Sequence, residues 1–521
     1  MSASAFIPVL AFILMGTPGG HDFYFHATTW IDVASQHAIF PRWAVGANSE
    51  FGDARLIFYP PLSWWLGGNL CKILPLSMAP GVYVLICTQC ASIAMYLLAR
   101  EFMPRRESLI AGAAYALSPY FLFDIYPRGA YAELLAMALF PASLLFLLQI
   151  CKSGWHRSLP LFSVSLSLIW LADIPLALVS SLTLASLALV LFVSSPNVQT
   201  LFRLTVASLL ALGLAGFYWI PAVSELAWNN PDRLATGDLT IGHFWLPPTL
   251  IAILSISILA AIYLAACVYR TYKDRSFRLL LPTLAILSLF MISPLSLAIW
   301  KLPILYFMDL PFRWLAVLSP LFAFAVAFLW SSRPRLVSTI AVVALAALLA
   351  LPGLVQKRGS GTSLLKQIRA ALANGQGYEG VVFDWNPREF SFESDPRSVP
   401  LASFDQRMAG ASSSRCGAED LQILSWQPEH KIITTNCPVN SLVRYHLAYF
   451  PRWKISVNGK SIPAAQDADG LLESPLPGGV NRIEISFATP AAEIWGTVCS
   501  FLSLMVCAGL AFILPRTGPV D

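Results

Sequence analysis

Apolar runs of bilayer-spanning length recur along nearly the whole chain, near residues 79–99, 107–123, 131–150, 158–172, 175–194, 202–221, 248–268, 279–299, 313–331, 336–354 and 492–514. A helix needs about 20 such residues to cross the hydrocarbon core. With the N-terminal run, the pattern predicts twelve spans. Residues 1–17, "MSASAFIPVLAFILMGT", are short for a span and lack the basic segment of a signal peptide. Either this is a short retained helix or the true start lies upstream; we read a retained helix. The stretch 57–74, "IFYPPLSWWLGGNLCKIL", carries paired prolines, tryptophans and glycines, which suit an interfacial helix better than a span.

Charge in the loops sets the expected orientation. With 57–74 on the surface, "REFMPRR", "CKSGWHR", "TLFR", "YRTYKDRSFR" and "SSRPR" all fall on one side, which is then cytoplasmic. The other side receives residues 18–78, 124–133, Asp173, 222–247, 300–312 and the long segment 355–490. The expected organisation is a transmembrane domain over 1–354 with its outer first loop at 18–78. An extracytoplasmic soluble domain follows over 355–490, then a last helix and cytoplasmic tail over 491–521.

In the soluble segment, 355–428 has weak periodicity. "SLVRYHLAY" and "VNRIEISFA" alternate like strands, and Asn458-Gly459 in "WKISVNGKSIPA" is a hairpin signal. A small β-sandwich, mainly 429–490, is expected. Of nine cysteines only Cys416 and Cys437 lie there; on the oxidising side they either pair or remain two unrelated thiols.

Composition agrees: 56% of the 521 residues are hydrophobic and only 12% charged, about half the charge of an average soluble chain. The net charge of +5 does not point to nucleic acid, because many of the cations sit in short loops where topology explains them. No Walker A motif, no GxGxxG between strand and helix and no HExxH is present, which argues against an ATP-driven pump.

Three clusters carry candidate chemistry. In "PGGHDFYFHATTWID" an acid stands at the bilayer edge, where ionised groups are costly unless they work or are paired. Asp22 and His26, four apart, share a helix face beside His21. Asp22 is either a general base or metal ligand, or simply the cap of an interfacial helix. In "FDIYPRGAYAELL", Arg128 and Glu133 are either an ion pair or a phosphate-binding arginine with an acid that assists Asp22. Arg42, Arg55, Arg128, Lys301 and Arg313 lie on the side that disfavours cations. They either snorkel or clamp the phosphate of a lipid-linked substrate, with Asp309 beside Arg313 in "FMDLPFRW".

These blocks bring a resemblance into view. "HDFYFH", "FYPPLSWWL", "SPYFLFDIYPRGAYAELLAMALFP", "GFYWIPAV" and "MDLPFRWL" resemble bacterial membrane proteins labelled 6-pyruvoyl-tetrahydropterin-synthase-related. The tail, "YHLAYFPRWKISVNGKSIPA" onward, is similar to the outer domain of YfhO-type proteins, and the whole resembles the GT-C glycosyltransferase superfamily. The pterin label is not chemistry here, since the soluble synthase uses a three-histidine zinc site and none of the seven histidines forms that pattern.

The GT-C resemblance implies an inverting membrane glycosyltransferase that moves a sugar from a polyprenyl-phosphate donor to a glycan or glycolipid acceptor of the bacterial envelope, on the outer face of the inner membrane. It places Asp22 as the first-loop acid, and Arg128 or Arg313 on the leaving phosphate. Some such enzymes bind Mg or Mn at that acid; here Asp22 and His26 would be the ligands if any. The rival is a non-catalytic transporter or flippase of lipid-linked sugars.

Overall fold

The computed structural model describes residues 2–15, 20–47, 50–153, 157–228, 241–271, 274–302, 310–333, 400–404, 416–467 and 470–514, with residues 17, 305 and 308. The span expected at 336–354, Asp309 and most of 355–428 lie outside them. The chain is a polytopic helical membrane protein with an antiparallel β domain near its C-terminus.

The count of twelve spans is not confirmed among the described residues, which leave out the run at 336–354. Among the described residues, eight helices are long and apolar enough to cross a membrane, or up to nine if a bent pair is one span. That pair, Val198–Leu214 and Gly216–Ser224, breaks by 70° where one straight run was expected. The first helix, α1 (Ser2–Met15), has 14 residues. At 1.5 Å per residue it reaches about 21 Å, short of the hydrocarbon core's roughly 30 Å. The run at 158–172 forms a helix of 15 residues. Hydropathy does not separate such half-length helices from spans, because packing against neighbours shields their ends.

No helix described within residues 23–73 is long and apolar enough to cross a membrane. α2 (Phe23–Ser35) and α4 (Pro61–Ile73), with the one-turn helix α3 (Arg55–Phe58) between them, have 13 residues each at most. α2 lies on α4 at close range: a Cβ on Gly67 would sit 2.0 Å from the Trp30 ring. Trp30 in turn stacks on Tyr131 and meets Tyr83, both buried in the bundle core.

The β domain consists of two sheets. One is ordered β1 (Ala402–Phe404), β4 (Ser441–Ala448), β8 (Leu471–Leu476), β7 (Ala465–Gln466). The other is ordered β2 (Leu421–Gln427), β3 (His430–Cys437), β9 (Gly479–Phe487), β5 (Trp453–Val457), β6 (Lys460–Ile462). Inward residues of both, such as Val443 and Tyr445 against Ile433, Ile455 and Ile483, share one core. The hairpin turns at Asn458 and Gly459, with φ of 50° and 77°. Both positions need a left-handed backbone, and Asn-Gly supplies it. The structure joins Cys416 to Cys437 as a disulfide.

The first loop binds this domain to the bundle. Trp43, Phe51, Ala54, Ile57 and Phe58 belong to the sandwich's apolar core, and the Ala448 amide donates to the Phe51 carbonyl at 2.9 Å. Ions complete the joint. Arg42 pairs with Glu429 and, at 3.2 Å, with Glu493 on the last helix, Ala491–Ile513. Arg452 pairs with the same Glu493 at 2.5 Å and with Glu225 at 2.9 Å. Phe487 lies beneath both guanidiniums.

Candidate active site

The site is built where the chain leaves α1 and crosses a break in the bundle. The short helix Pro119–Phe123 runs into one π-helical turn, Asp124–Arg128, containing Pro127. Proline has no N–H to give the ladder, and a widened turn absorbs the loss. Gly129 then turns left-handed, φ 64°, before the helix Tyr131–Ser153 begins. Gly20 crosses directly over this turn: a Cβ there would lie 2.3 Å from the Gly129 nitrogen. The contact is held by main-chain bonds, His21 N to Pro127 O at 3.2 Å and Asp22 N to Arg128 O at 2.6 Å. Residues 106 apart in sequence are thereby placed side by side.

On this frame, four carboxylates gather around two guanidiniums. Arg128 donates through Nη2 to Asp22 at 3.1 Å and through Nη1 to Asp124 at 3.1 Å and Glu133 at 2.5 Å. Arg313, on the turn Pro311–Trp314, donates to the same Glu133 oxygen at 2.7 Å and lies 3.8 Å from Asp173. Tyr120 donates to the other Glu133 oxygen at 2.7 Å. Glu133 is almost fully buried, as are Asp124 and Asp173. The rim is different. The Asp22 side chain is 28% exposed, and its second oxygen is bonded at 2.6 Å to Nδ1 of His21, whose side chain is 89% exposed.

Asp22 precedes α2, yet its side chain makes no cap hydrogen bond. Both of its oxygens go to His21 and Arg128, so capping does not account for it. Burial acts to raise the Asp22 carboxyl. The Arg128 charge and the His21 hydrogen bond, with His26 and Arg313 farther off, outweigh this and hold it below the usual carboxylate range. The group is therefore ionised at neutral pH.

The remaining expected site residues separate from this cluster. His26 does share the helix face of Asp22, but its ring is buried among Phe25, Trp30, Tyr59 and Tyr131. Burial pushes its imidazole down to about 4, against the pull of Asp22, so it is neutral. Arg55 is fully buried in a two-pronged pair with Asp53, its guanidinium 5.3 Å from the Phe25 ring centre. Arg42 belongs to the joint with the β domain. Arg42, Arg55, Arg128 and Arg313, all disfavoured by the loop-charge rule, thus have carboxylate partners, in the case of Arg42 one 387 residues away.

A metal at Asp22 and His26 does not fit. Asp22 has both oxygens occupied, His26 is enclosed by aromatic rings, and among the described residues no three His, Cys, Asp or Glu side chains gather as ligands.

Sequence reading missed Asp124, Asp173 and Tyr120. Asp124 stands four residues before Arg128, a helical ion-pair spacing that Pro127 concealed. Asp173 is a single acid within an apolar stretch, which alone marks a candidate. Asp32 was missed too. It is buried on α2, accepts from the Val45 and Gly46 amides through one oxygen, and leaves the other without a partner.

A helical membrane protein with an ionised cluster beside a docked β domain is the class these features define. The chain belongs to the 6-pyruvoyl-tetrahydropterin synthase related domain family of membrane proteins, whose pattern matches residues 56–356. No protein of curated function matches it in sequence. Solved structures similar to it include three from different organisms. Arabinofuranosyltransferase AftD from Mycobacteria has TM-score 0.45 and 19% identity over 68% of this chain and 27% of its own. ArnT from Cupriavidus metallidurans, bound to undecaprenyl phosphate, has TM-score 0.42 and 12% identity over 71% and 67%. The Archaeoglobus fulgidus oligosaccharyltransferase has TM-score 0.37 and 14% identity over 73% and 56%. The chain thus spans about a quarter of the length of the arabinofuranosyltransferase.

Proposed function

We propose that this protein is a glycosyltransferase of the GT-C type, moving a sugar from a polyprenyl-phosphate donor to a hydroxyl of an envelope glycan or glycolipid. The soluble domain would face the outside of the inner membrane. The observation that carries this reading is Asp22: an ionised carboxylate at the rim of an otherwise buried ion cluster, not used to cap its helix. An acid so placed is a basic centre that an acceptor hydroxyl reaches from water, while a lipid-borne donor reaches the same rim from the bilayer. Attack of that hydroxyl oxygen on the anomeric carbon forms the new glycosidic bond. The carbon–oxygen bond to phosphate breaks, its electron pair leaves on the phosphate, and the hydroxyl proton goes to the basic centre.

The leaving phosphate needs a cation. Arg128 has its fork filled by three carboxylates and is better suited to hold Asp22 in place. Arg313 suits the phosphate better, because among the described residues its Nε is buried without a partner and its hydrogen bond to Glu133 runs through Nη1. Such an orphan donor costs about 1–3 kcal/mol until an acceptor arrives.

The test uses purified protein in lipid nanodiscs, offered undecaprenyl-phosphate-linked pentoses and hexoses one at a time. Release of undecaprenyl phosphate is followed by mass spectrometry. Release with at least one donor, weakened by Arg313→Lys, is expected. Folded protein that releases none, yet moves these lipids between leaflets, would identify a flippase instead.

A further inference from the structure

We propose that His21 Nε2 is the atom that takes the acceptor's proton, with Asp22 as its positioning residue. The inference rests on the transferase reading and names the base within it.

Asp22 is poorly disposed to accept the proton itself. One oxygen receives the Arg128 guanidinium at 3.1 Å, and the other is joined to His21 Nδ1 at 2.6 Å. An ionised carboxylate only accepts, so the bond to Nδ1 requires the hydrogen on that nitrogen. Nε2 of the neutral ring then carries the lone pair. Two features fix the ring in this state. Arg128 holds the carboxylate from behind, and the backbone under His21 is pinned by its amide bond to Pro127 O at 3.2 Å. Asp124 and Glu133, on the far side of Arg128, keep that guanidinium in place.

The histidine is also where solvent is. Its side chain is 89% exposed, against 28% for Asp22. An acceptor arriving from water meets the imidazole before it meets the carboxylate. Among the described residues the ring is in contact with Asp22, and Arg128, His26 and Arg313 act in turn on that carboxylate. As the acceptor oxygen bonds to the anomeric carbon, its proton passes to Nε2 and the phosphate leaves with the electron pair. The resulting imidazolium, its charge balanced by Asp22, returns the proton to bulk water. The exposed ring makes that last transfer direct, where a buried acid would need a relay.

Two measurements on the full chain in nanodiscs test this. Nitrogen-15 histidine spectra at neutral pH should show His21 as the Nδ1–H tautomer, and Asp22→Asn should abolish that preference. In the donor-release assay, His21→Ala should lower kcat by about 100-fold with KM for donor within about twofold, and added imidazole should restore at least about tenfold. His21→Gln should remain slow and gain nothing from imidazole. At 89% exposure neither variant threatens the fold. An Nε2–H tautomer in the unmodified protein, or a His21→Ala kcat within threefold of normal, overturns the inference. If the unmodified protein releases no donor, the transferase reading fails, and the tautomer alone judges the His21–Asp22 pair.

Discussion

Glu133 is the acid whose loss should be felt most. It is 1% exposed and is shared by three donors: Arg128 at 2.5 Å and Arg313 at 2.7 Å on one oxygen, and Tyr120 at 2.7 Å on the other. In Glu133→Gln the amide keeps one acceptor. If its oxygen faces the arginines, the NH2 meets Tyr120, whose hydroxyl reverses to accept. Geometry therefore survives and charge does not. Arg128 retains Asp22 and Asp124, but among the described residues Arg313 retains only Asp173, at 3.8 Å. Leaving a buried cation without its partner costs about 3–5 kcal/mol. Asp173→Asn is the control. It keeps the helix cap to the Leu176 amide and loses only the longer contact, so about 1 kcal/mol is expected. Denaturant unfolding of each purified variant in one detergent, followed by tryptophan fluorescence, gives the order. A Glu133→Gln protein as stable as the parent, or less damaged than Asp173→Asn, would refute a cluster organised around Glu133.

Further outcomes follow from the first loop and the β domain. Burial pushes the Asp32 carboxyl up to about 7, against hydrogen bonds from Gly46 and Val45 and the Arg55 charge. The folded state then holds a proton that the unfolded state releases, so stability falls as pH rises from the ordinary carboxylate range to about 7. His26, depressed to about 4, acts in the opposite sense up to the ordinary histidine range. The difference between parent and Asp32→Asn melting curves isolates the first effect, and parallel curves would contradict it. Intact mass after thiol blocking should find Cys416 and Cys437 unmodified. Their separation of 21 residues corresponds to about 3 kcal/mol, lost on reduction and read by hydrogen exchange in β3. Glu493→Gln removes the carboxylate shared by Arg42 and Arg452, so limited proteolysis between the β domain and the last helix should quicken. Unchanged cleavage would mean that the joint does not need Glu493 and is held by the Arg42–Glu429 and Arg452–Glu225 pairs with the apolar contacts at Trp43 and Phe450.

Much of this was legible in the chain. The apolar runs revealed a polytopic protein, and Asn458-Gly459 marked the hairpin because few residues tolerate that backbone. "PRGAYAE" revealed Arg128 and Glu133, since charges inside apolar sequence are costly unless used. The span count was less legible, because α1 and the helix Ser158–Ala172 are apolar but short. β2 was read as irregular because it is an edge strand, none of its side chains fully buried, and its alternation is weak. Arg42 and Arg55 looked alike as exceptions to the loop-charge rule. The partner of Arg55, Asp53, stands two residues away, but only the fold reveals that Arg42 meets Glu429, since nothing local records a partner 387 residues distant.

The central claim is that the centre built on Asp22 performs chemistry. The most direct measurement is release of undecaprenyl phosphate from a sugar-loaded donor by the parent protein and by Asp22→Asn, with unfolding curves recorded on the same samples. Asparagine still bonds to His21 or Arg128 but cannot sustain the basic centre. Exposed on one side, the lost pair should cost no more than about 1 kcal/mol of stability. Release should fall by at least about 100-fold in a protein that remains folded. Near-normal release by Asp22→Asn would contradict the claim and leave the ion cluster as an element of structure.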